Sequence, residues 1–244
     1  MDGTVQICRG FTINQWKELH KRLINPDGTN SDDQEAWSCG IEIFERRIHE
    51  RFLSCIQALE TADSKSDISV PDEAAADCFN LPQKSEAVVP GFAIMALCCL
   101  LAETLQSFRC KTEMPHKAEA RCSYPDGSCI RVPQTTTTDA FKAFLRRPAF
   151  RGTFAEEEIA SSFVNGVRNG ILHEAETRNW VIWRSEPENQ IAAKEGDGYA
   201  LNRTAFHRAL EDDFAEYLAE LRNPKAPDIR TRFRKKMNDM VKEA

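Results

Sequence analysis

No uninterrupted apolar run in the 244-residue chain exceeds the eleven residues from Phe92 to Ala102. A membrane-crossing helix needs roughly 20, so none is expected. Met1-Asp2-Gly3-Thr4 opens without the basic region and apolar stretch of a secretory leader, and a cytoplasmic protein without membrane contact is the expectation. Basic residues do not dominate. Lys and Arg number 32 against 38 Asp and Glu, a net charge of −6. That excludes a protein coating nucleic acid by bulk charge and leaves room for a local basic site. With 41% hydrophobic residues the chain is too apolar to be disordered. Its length supports one large domain or two small ones without a disulfide or metal staple. There is no internal repeat, and the only low-complexity tract is Thr135–Thr138.

Paired cysteine knuckles are also missing. The nine cysteines are odd in number, and Cys98-Cys99 lie in the most apolar segment. Buried, reduced thiols account for them. Cys110, His116, Cys122 and Cys129 are separated by five, five and six residues, whereas zinc sites favour gaps of about two to four. The expectation is no metal, no cofactor and no intramolecular disulfide.

What is present reads as helix. Asn14–Leu23 forms a short one. Trp37, Ile41, Phe44, Ile48, Phe52, Cys55, Ile56 and Leu59 recur at steps of three and four, one face of a helix over about 37–60. Residues 61–89 read as a loop with a helical turn near 73–79. Pro90 starts the apolar helix 90–108, expected to be the central element. Residues 110–136 carry turn chemistry, including Pro125-Asp126-Gly127. A short helix over 139–146 ends before Pro148. Thr153 and Glu156 have capping-box spacing and open a helix over 154–174. Trp180–Arg184 and Gly198–Leu201 form a hairpin, and helices over about 206–221 and 228–242 close the chain. The expected fold is all-α with a small β-hairpin insertion: an N-terminal appendage over 1–34 and one helical domain over 35–244.

The chemistry lies in Asn165-Gly166-Val167-Arg168-Asn169-Gly170-Ile171-Leu172-His173-Glu174. On an α-helical wheel Ile159, Phe163, Val164, Val167 and Ile171 take one side. Asn165, Arg168, Asn169 and His173 take the other, with Asn169 and His173 four apart on one face. Gly166 and Gly170 each cost a helix about 1 kcal/mol against alanine, so a backbone or a ligand is expected to approach closely there.

Arg168-Asn169-Gly170-Ile171-Leu172-His173 resembles the signature of the HEPN superfamily, all-helical nucleases and nucleotide-binding proteins. That signature is an arginine, a polar residue directly after it, and a histidine after four to six intervening residues. The resemblance covers most of residues 35–222. Arg109 and His116 share the spacing, but Pro115 and the surrounding turn residues exclude a helix there. The resemblance implies a helical bundle and a composite active site in which two copies meet in a dimer. It also implies a role as an RNA-degrading effector in antiviral defence or as a toxin, with a regulatory or antitoxin partner. Some members carry a tyrosine two residues after the histidine that an antitoxin modifies; here the position is Ala175, and such control is not expected.

These residue types suit RNA cleavage. RNA supplies its own nucleophile, the 2′-hydroxyl. The protein must supply a base, an acid and positive charge on the phosphate. Histidine can serve as acid or base near neutral pH, and arginine grips phosphate with a planar fork. Arg168, His173 and Asn169 are the candidate catalytic residues for single-stranded RNA. The stripe holds no carboxylate cluster of the two-metal kind, so a metal-independent endoribonuclease is expected. The competing reading keeps the fold as a non-catalytic module that binds nucleotide, RNA or a partner protein.

Asn165, Arg230, Arg234 and Lys235 are candidate RNA contacts, the last three from the basic stretch Arg222–Lys236. That stretch could equally be a solvated face over an apolar stripe. Arg46, Arg47 and Arg51 are expected to pair with Glu45 and Glu50. Glu174 and Glu176 read as a solvated helix end, and Trp180 and Trp183 as hairpin anchors in preference to a base-stacking platform.

Overall fold

A computed structural model describes residues 5–65, 90–110, 120–123, 129–132, 137–185, 187–188 and 190–242. It is largely helical with three small sheets. The N-terminal strands β1 (Gln6–Cys8) and β2 (Phe11–Thr12) pair antiparallel and lead into α1 (Ile13–Arg22). A capping box sets this helix start. Thr12 Oγ1 accepts from Gln15 N at 3.3 Å, and Thr12 N donates to Gln15 Oε1 at 2.8 Å. Trp16 of α1 is fully buried and meets Phe233 of the last helix edge-on at 6.3 Å. Ile7, Cys8 and Leu23 are buried with it. Residues 5–34 therefore share the core rather than hanging from it as an appendage, because their apolar side chains fill the space between α2 and the last helix.

The long helix expected over 37–60 runs from 34 to 65 as α2 (Gln34–Ile48), a π turn (His49–Leu53) and α3 (Ser54–Lys65). Asp33 caps it through Ala36 N at 2.9 Å. The helical turn expected near 73–79 lies outside the described residues. Helix α4 (Gly91–Arg109) is central, with Ile94, Met95, Cys98, Cys99, Leu101, Ala102 and Leu105 fully buried. Over its whole length it is long and apolar enough to cross a membrane, which a count of uninterrupted residues misses. Just over half of it is buried in this fold.

Within the stretch read as turns, β3 (Ala120–Ser123) pairs antiparallel with β4 (Cys129–Val132). The Pro125-Asp126-Gly127 turn falls between them, outside the described residues. Then follow α5 (Thr137–Leu145), α6 (Pro148–Phe154), and α7 (Glu157–Phe163), which continues as a π-helix (Val164–Glu174). Pro148 stands in the first turn of α6. The capping box expected at Thr153 does not form. Thr153 lies inside α6, whose Phe150 and Phe154 are fully buried, and α7 starts after Glu156 without a side-chain cap.

The hairpin expected after the motif is a three-stranded mixed sheet in the order β5-β7-β6. β5 (Trp180–Trp183) runs parallel to β7 (Gly198–Asn202), and β6 (Ala192–Glu195) turns into β7 through Gly196, at φ +56°. Helices α8 (Arg203–Arg222) and α9 (Pro227–Lys242) complete the chain. Aromatic rings fill both ends of the core. Phe44 meets Phe108, Phe214, Tyr217 and Phe233 at one end, and Phe163 meets Phe141, Phe154, Phe206 and Trp180 at the other. A buried ion cluster joins α4, the residue that precedes α6, and α8: Arg109 and Arg147 both pair with the fully buried Asp213.

Candidate functional site

The motif segment is wound as a π-helix from Val164 to Glu174. Each N–H then reaches back five residues, and such windings recur at functional sites. The consequence for the motif is geometric. On an α-helix Arg168 and His173 would point about 140° apart. A π-helix has more than four residues per turn, so Arg168 turns toward the side that carries Asn169 and His173, and Asn169 stays beside His173.

Two glycines carry overlying groups. The indole of Trp180 covers Gly166, where a Cβ would fall 2.7 Å from Trp180 Cδ1. Trp180 is held there by Nε1 donating to Ser162 Oγ at 3.0 Å and by stacking on Tyr199 at 4.7 Å, so it anchors the sheet to the core. The carbonyl of Glu176 occupies the place of a Cβ on Gly170, because the chain turns back through Ala175 at φ +54° and Glu176 N donates to Gly170 O at 3.2 Å. Close approach at both glycines is therefore real, and the chain's own groups make it. The glycines no longer argue for a second copy packing against this helix.

Arg168 is only 9% exposed, not on an open stripe facing away from the core. It turns toward α4, where Nε donates to Glu103 Oε1 at 2.5 Å and Nη2 lies 2.5 Å from the same oxygen. On its other side Nη1 donates to Asn169 Oδ1 at 2.7 Å. Asn169 is half-buried; Asn165 and His173 are exposed. His173 makes no hydrogen bond among the described residues. Glu174 is taken by Arg178 at 2.5 Å, which holds its carboxyl below the usual range. One turn before Glu103, burial and the nearby carboxylate push the Cys99 thiol far above its ordinary value, so it is an inert core group.

The basic C-terminal stretch is spent inside the fold. Arg230 is buried, lies over the Trp37 ring at 4.7 Å and donates to Leu221 O at 2.9 Å. Arg234 is buried and donates to Gly28 O at 3.1 Å and Asn30 Oδ1 at 3.2 Å. Burial lowers the pKa of both guanidinium groups. As RNA contacts Arg230 and Arg234 are thus corrected: their fork donors cap backbone carbonyls that would otherwise be left without partners. Lys235 is exposed on the opposite face of α9.

Arg47 and Arg51 donate to Ile7 O, and Arg46 pairs with Glu42 and donates to Arg9 O. They hold β1 instead of pairing with Glu45 and Glu50. Glu45 pairs with Arg222, and Glu50 accepts from Arg9 N. A cleft of about 440 Å³ lies over this cluster, lined by Arg9, Glu42, Glu45, Arg46, His49 and Glu50. It includes no motif residue.

Arg109, the other arginine with motif spacing, is buried against Asp213, and His116 lies outside the described residues. Among the described residues no three His, Cys, Asp or Glu side chains lie together as metal ligands, and Cys8, Cys39, Cys55, Cys98 and Cys99 are free thiols.

Glu103 is the site residue that pattern reading missed. A signal existed: it is the only acidic residue in Gly91–Arg109, and a lone carboxylate in so apolar a helix needs a partner.

The fold and site define a largely α-helical protein with small sheets and a π-wound Arg-Asn-His segment braced by a glutamate. Comparison with family models, curated proteins and solved structures gives no match.

Proposed function

We propose that the chain is a metal-independent endoribonuclease of HEPN type, with Arg168 and His173 as its reactive pair and the 2′-hydroxyl of single-stranded RNA as the nucleophile. The observation carrying this reading is the π winding of Val164–Glu174, because it turns Arg168 toward the side of the helix that carries Asn169 and His173. His173 is exposed and free of hydrogen-bonded partners among the described residues, so both ring nitrogens are open to a substrate. Arg168 keeps N–H groups on Nη1 and Nη2 beyond those given to Glu103 and Asn169, and these can meet a phosphate. Asn169 orients the guanidinium. In this reading the protein is an RNA-degrading effector or toxin, held in check by a partner, and two copies paired around the motif give the composite site that the resemblance implies.

A second reading has its own support. Arg168 is 9% exposed and ion-paired with Glu103, as a structural arginine would be, which favours a non-catalytic module binding nucleotide, RNA or a partner. Incubation of single-stranded RNA and DNA of one sequence with purified protein and a chelator separates the two. The nuclease reading expects cut RNA with 2′,3′-cyclic phosphate and 5′-hydroxyl ends, and intact DNA. The second expects binding with both strands intact.

A further inference from the structure

We infer that the outer face of the β5-β7-β6 sheet is a binding site for an unpaired guanine nucleotide of single-stranded RNA; its choice of RNA rests on the ribonuclease reading above. Side chains alternate between the two faces of a strand. Trp180 and Ile182 of β5 pack against the core, so Val181 and Trp183 point outward, at 47% and 45% exposed. Trp183, read with Trp180 as an anchor, is instead the one tryptophan of four that is widely open to solvent.

The strand register builds a cleft around that ring. Val181, Ala200 and Ala193 stand side by side across β5, β7 and β6. Trp183 lies opposite Asn202 on one side of this row, and Glu195 lies opposite Gly198 on the other. Trp183 Nε1 still donates to Glu195 Oε2 at 3.5 Å, so the indole lies diagonally over the row. Ala200 faces outward yet is only 6% exposed, as such a cover requires. Pro187 walls the cleft because Asn202, which caps α8 through Ala205 N, also donates from Nδ2 to Pro187 O at 3.0 Å. The cleft measures about 310 Å³ and is lined by Trp183, Pro187, Ala193, Lys194, Glu195 and Ala200.

These groups match the parts of a guanine nucleotide. The open indole face offers stacking to a planar base. The Glu195 carboxylate only accepts hydrogen bonds and has about four positions for them; the Trp183 N–H takes one. Guanine presents two adjacent donors on its Watson–Crick edge, N1–H and the 2-amino group. Adenine and cytosine place a ring acceptor beside their one amino group, and uracil has a single N–H between two carbonyls. Stacking on an aromatic ring with hydrogen bonds to the exposed edge is how single-stranded RNA is read. Lys194 is exposed on the rim, has no ion pair or hydrogen bond among the described residues, and supplies a cation for the phosphate. The same cation disfavours a basic side chain of a partner protein as the occupant.

The test measures binding of the full chain to short end-labelled oligouridines by fluorescence polarisation. Their 2′-methoxy groups prevent cleavage through the 2′-oxygen. One central uridine is replaced in turn by guanosine, by adenosine, and by inosine, which lacks the 2-amino group. Wild type is expected to bind the guanosine strand at least about fivefold more tightly than the adenosine strand, with inosine between them. Glu195→Gln should bring guanosine and adenosine within about twofold of each other. Trp183→Ala should weaken both by about 5- to 150-fold, and Trp183→Phe should restore most of that loss. Lys194→Gln should keep the preference for guanosine and lower the salt slope of log K by about 0.7. Should Trp183→Ala not fold, Trp183→Leu replaces it, since leucine covers the alanines without a ring, and must show the same loss. Wild type binding all four strands alike overturns the inference, and so does Glu195→Gln keeping the preference. Quenching of wild-type tryptophan emission by guanosine monophosphate as strongly as by the guanosine strand would give the cleft to a free nucleotide. Quenching by a short arginine-rich peptide alone would give it to a protein, and either result overturns the inference. The ribonuclease reading fails differently, by wild type binding none of these strands and leaving unmodified RNA whole, and that result removes this inference with it.

Discussion

The indole of Trp180 lies where a side chain on residue 166 would stand, with Cδ1 2.7 Å from the position of a Cβ. Gly166→Ala should therefore destabilise the fold by about 1–3 kcal/mol, although alanine is intrinsically about 1 kcal/mol better in a helix. Gly170→Ala should cost more, because its obstacle is the Glu176 backbone and not a movable ring. Urea unfolding checks both. If these glycines served contact with a second copy, the substitutions would instead weaken the dimer and leave the unfolding of the single chain unchanged.

Arg230→Ala should unfold more readily than wild type by about 2–3 kcal/mol. The change strands the Leu221 and Arg222 carbonyls and removes the contact over Trp37. Calorimetry reads this directly. A surface arginine that contacts RNA would give weaker RNA binding at unchanged melting temperature.

Asp213 is the shared acid of Arg109 and Arg147, with side-chain exposures of 0%, 5% and 3% for the three groups. Asp213→Asn leaves two buried guanidinium groups short of counter-charge. A loss of about 3–5 kcal/mol is expected in denaturant titration. A loss below about 1 kcal/mol would mean that the cluster contributes little.

Burial holds the His20 imidazole below its ordinary pKa, and the charges of Arg234 and Lys242 act in the same direction. Above about pH 6.5 folded and unfolded chains both carry it neutral, so its contribution to stability is full there. As pH falls below that value the unfolded chain binds the proton first, and stability drops. His20→Gln should flatten this part of the stability curve, measured by thermal melts between about pH 5 and 7. A slope unchanged by the substitution would assign it to other groups.

Helix positions were legible because apolar residues recur at three and four: α4, α8, α9 and the run from α2 to α3 lie within about five residues of their expected bounds. Their winding was not. A wheel at 100° per residue assumes the α-form, and nothing in Asn165–His173 by itself announces that its hydrogen bonds skip to the fifth residue. The capping-box pattern misled at Thr153 because burial of Phe150 and Phe154 decides that stretch, while the working box at Thr12 and Gln15 went unread. Strand β6 was missed since Ala192-Ala193-Lys194-Glu195 holds no β-branched residue. Inward arginines on α9 could have been seen: Arg230, Phe233, Arg234, Met237 and Val241 follow one face. Charge alone suggested phosphate, but a guanidinium can sit in a core where carbonyls receive its donors.

The central claim is that His173 moves a proton during RNA cleavage. Its most direct test compares wild type with His173→Ala on one single-stranded RNA under chelator, with contaminating nuclease excluded by mock purification. Since His173 is exposed and unbonded among the described residues, the variant should fold as wild type does. The account predicts at least a 10²-fold loss of cleavage, about 3 kcal/mol of transition-state stabilisation. Cleavage by His173→Ala at the wild-type rate would contradict it.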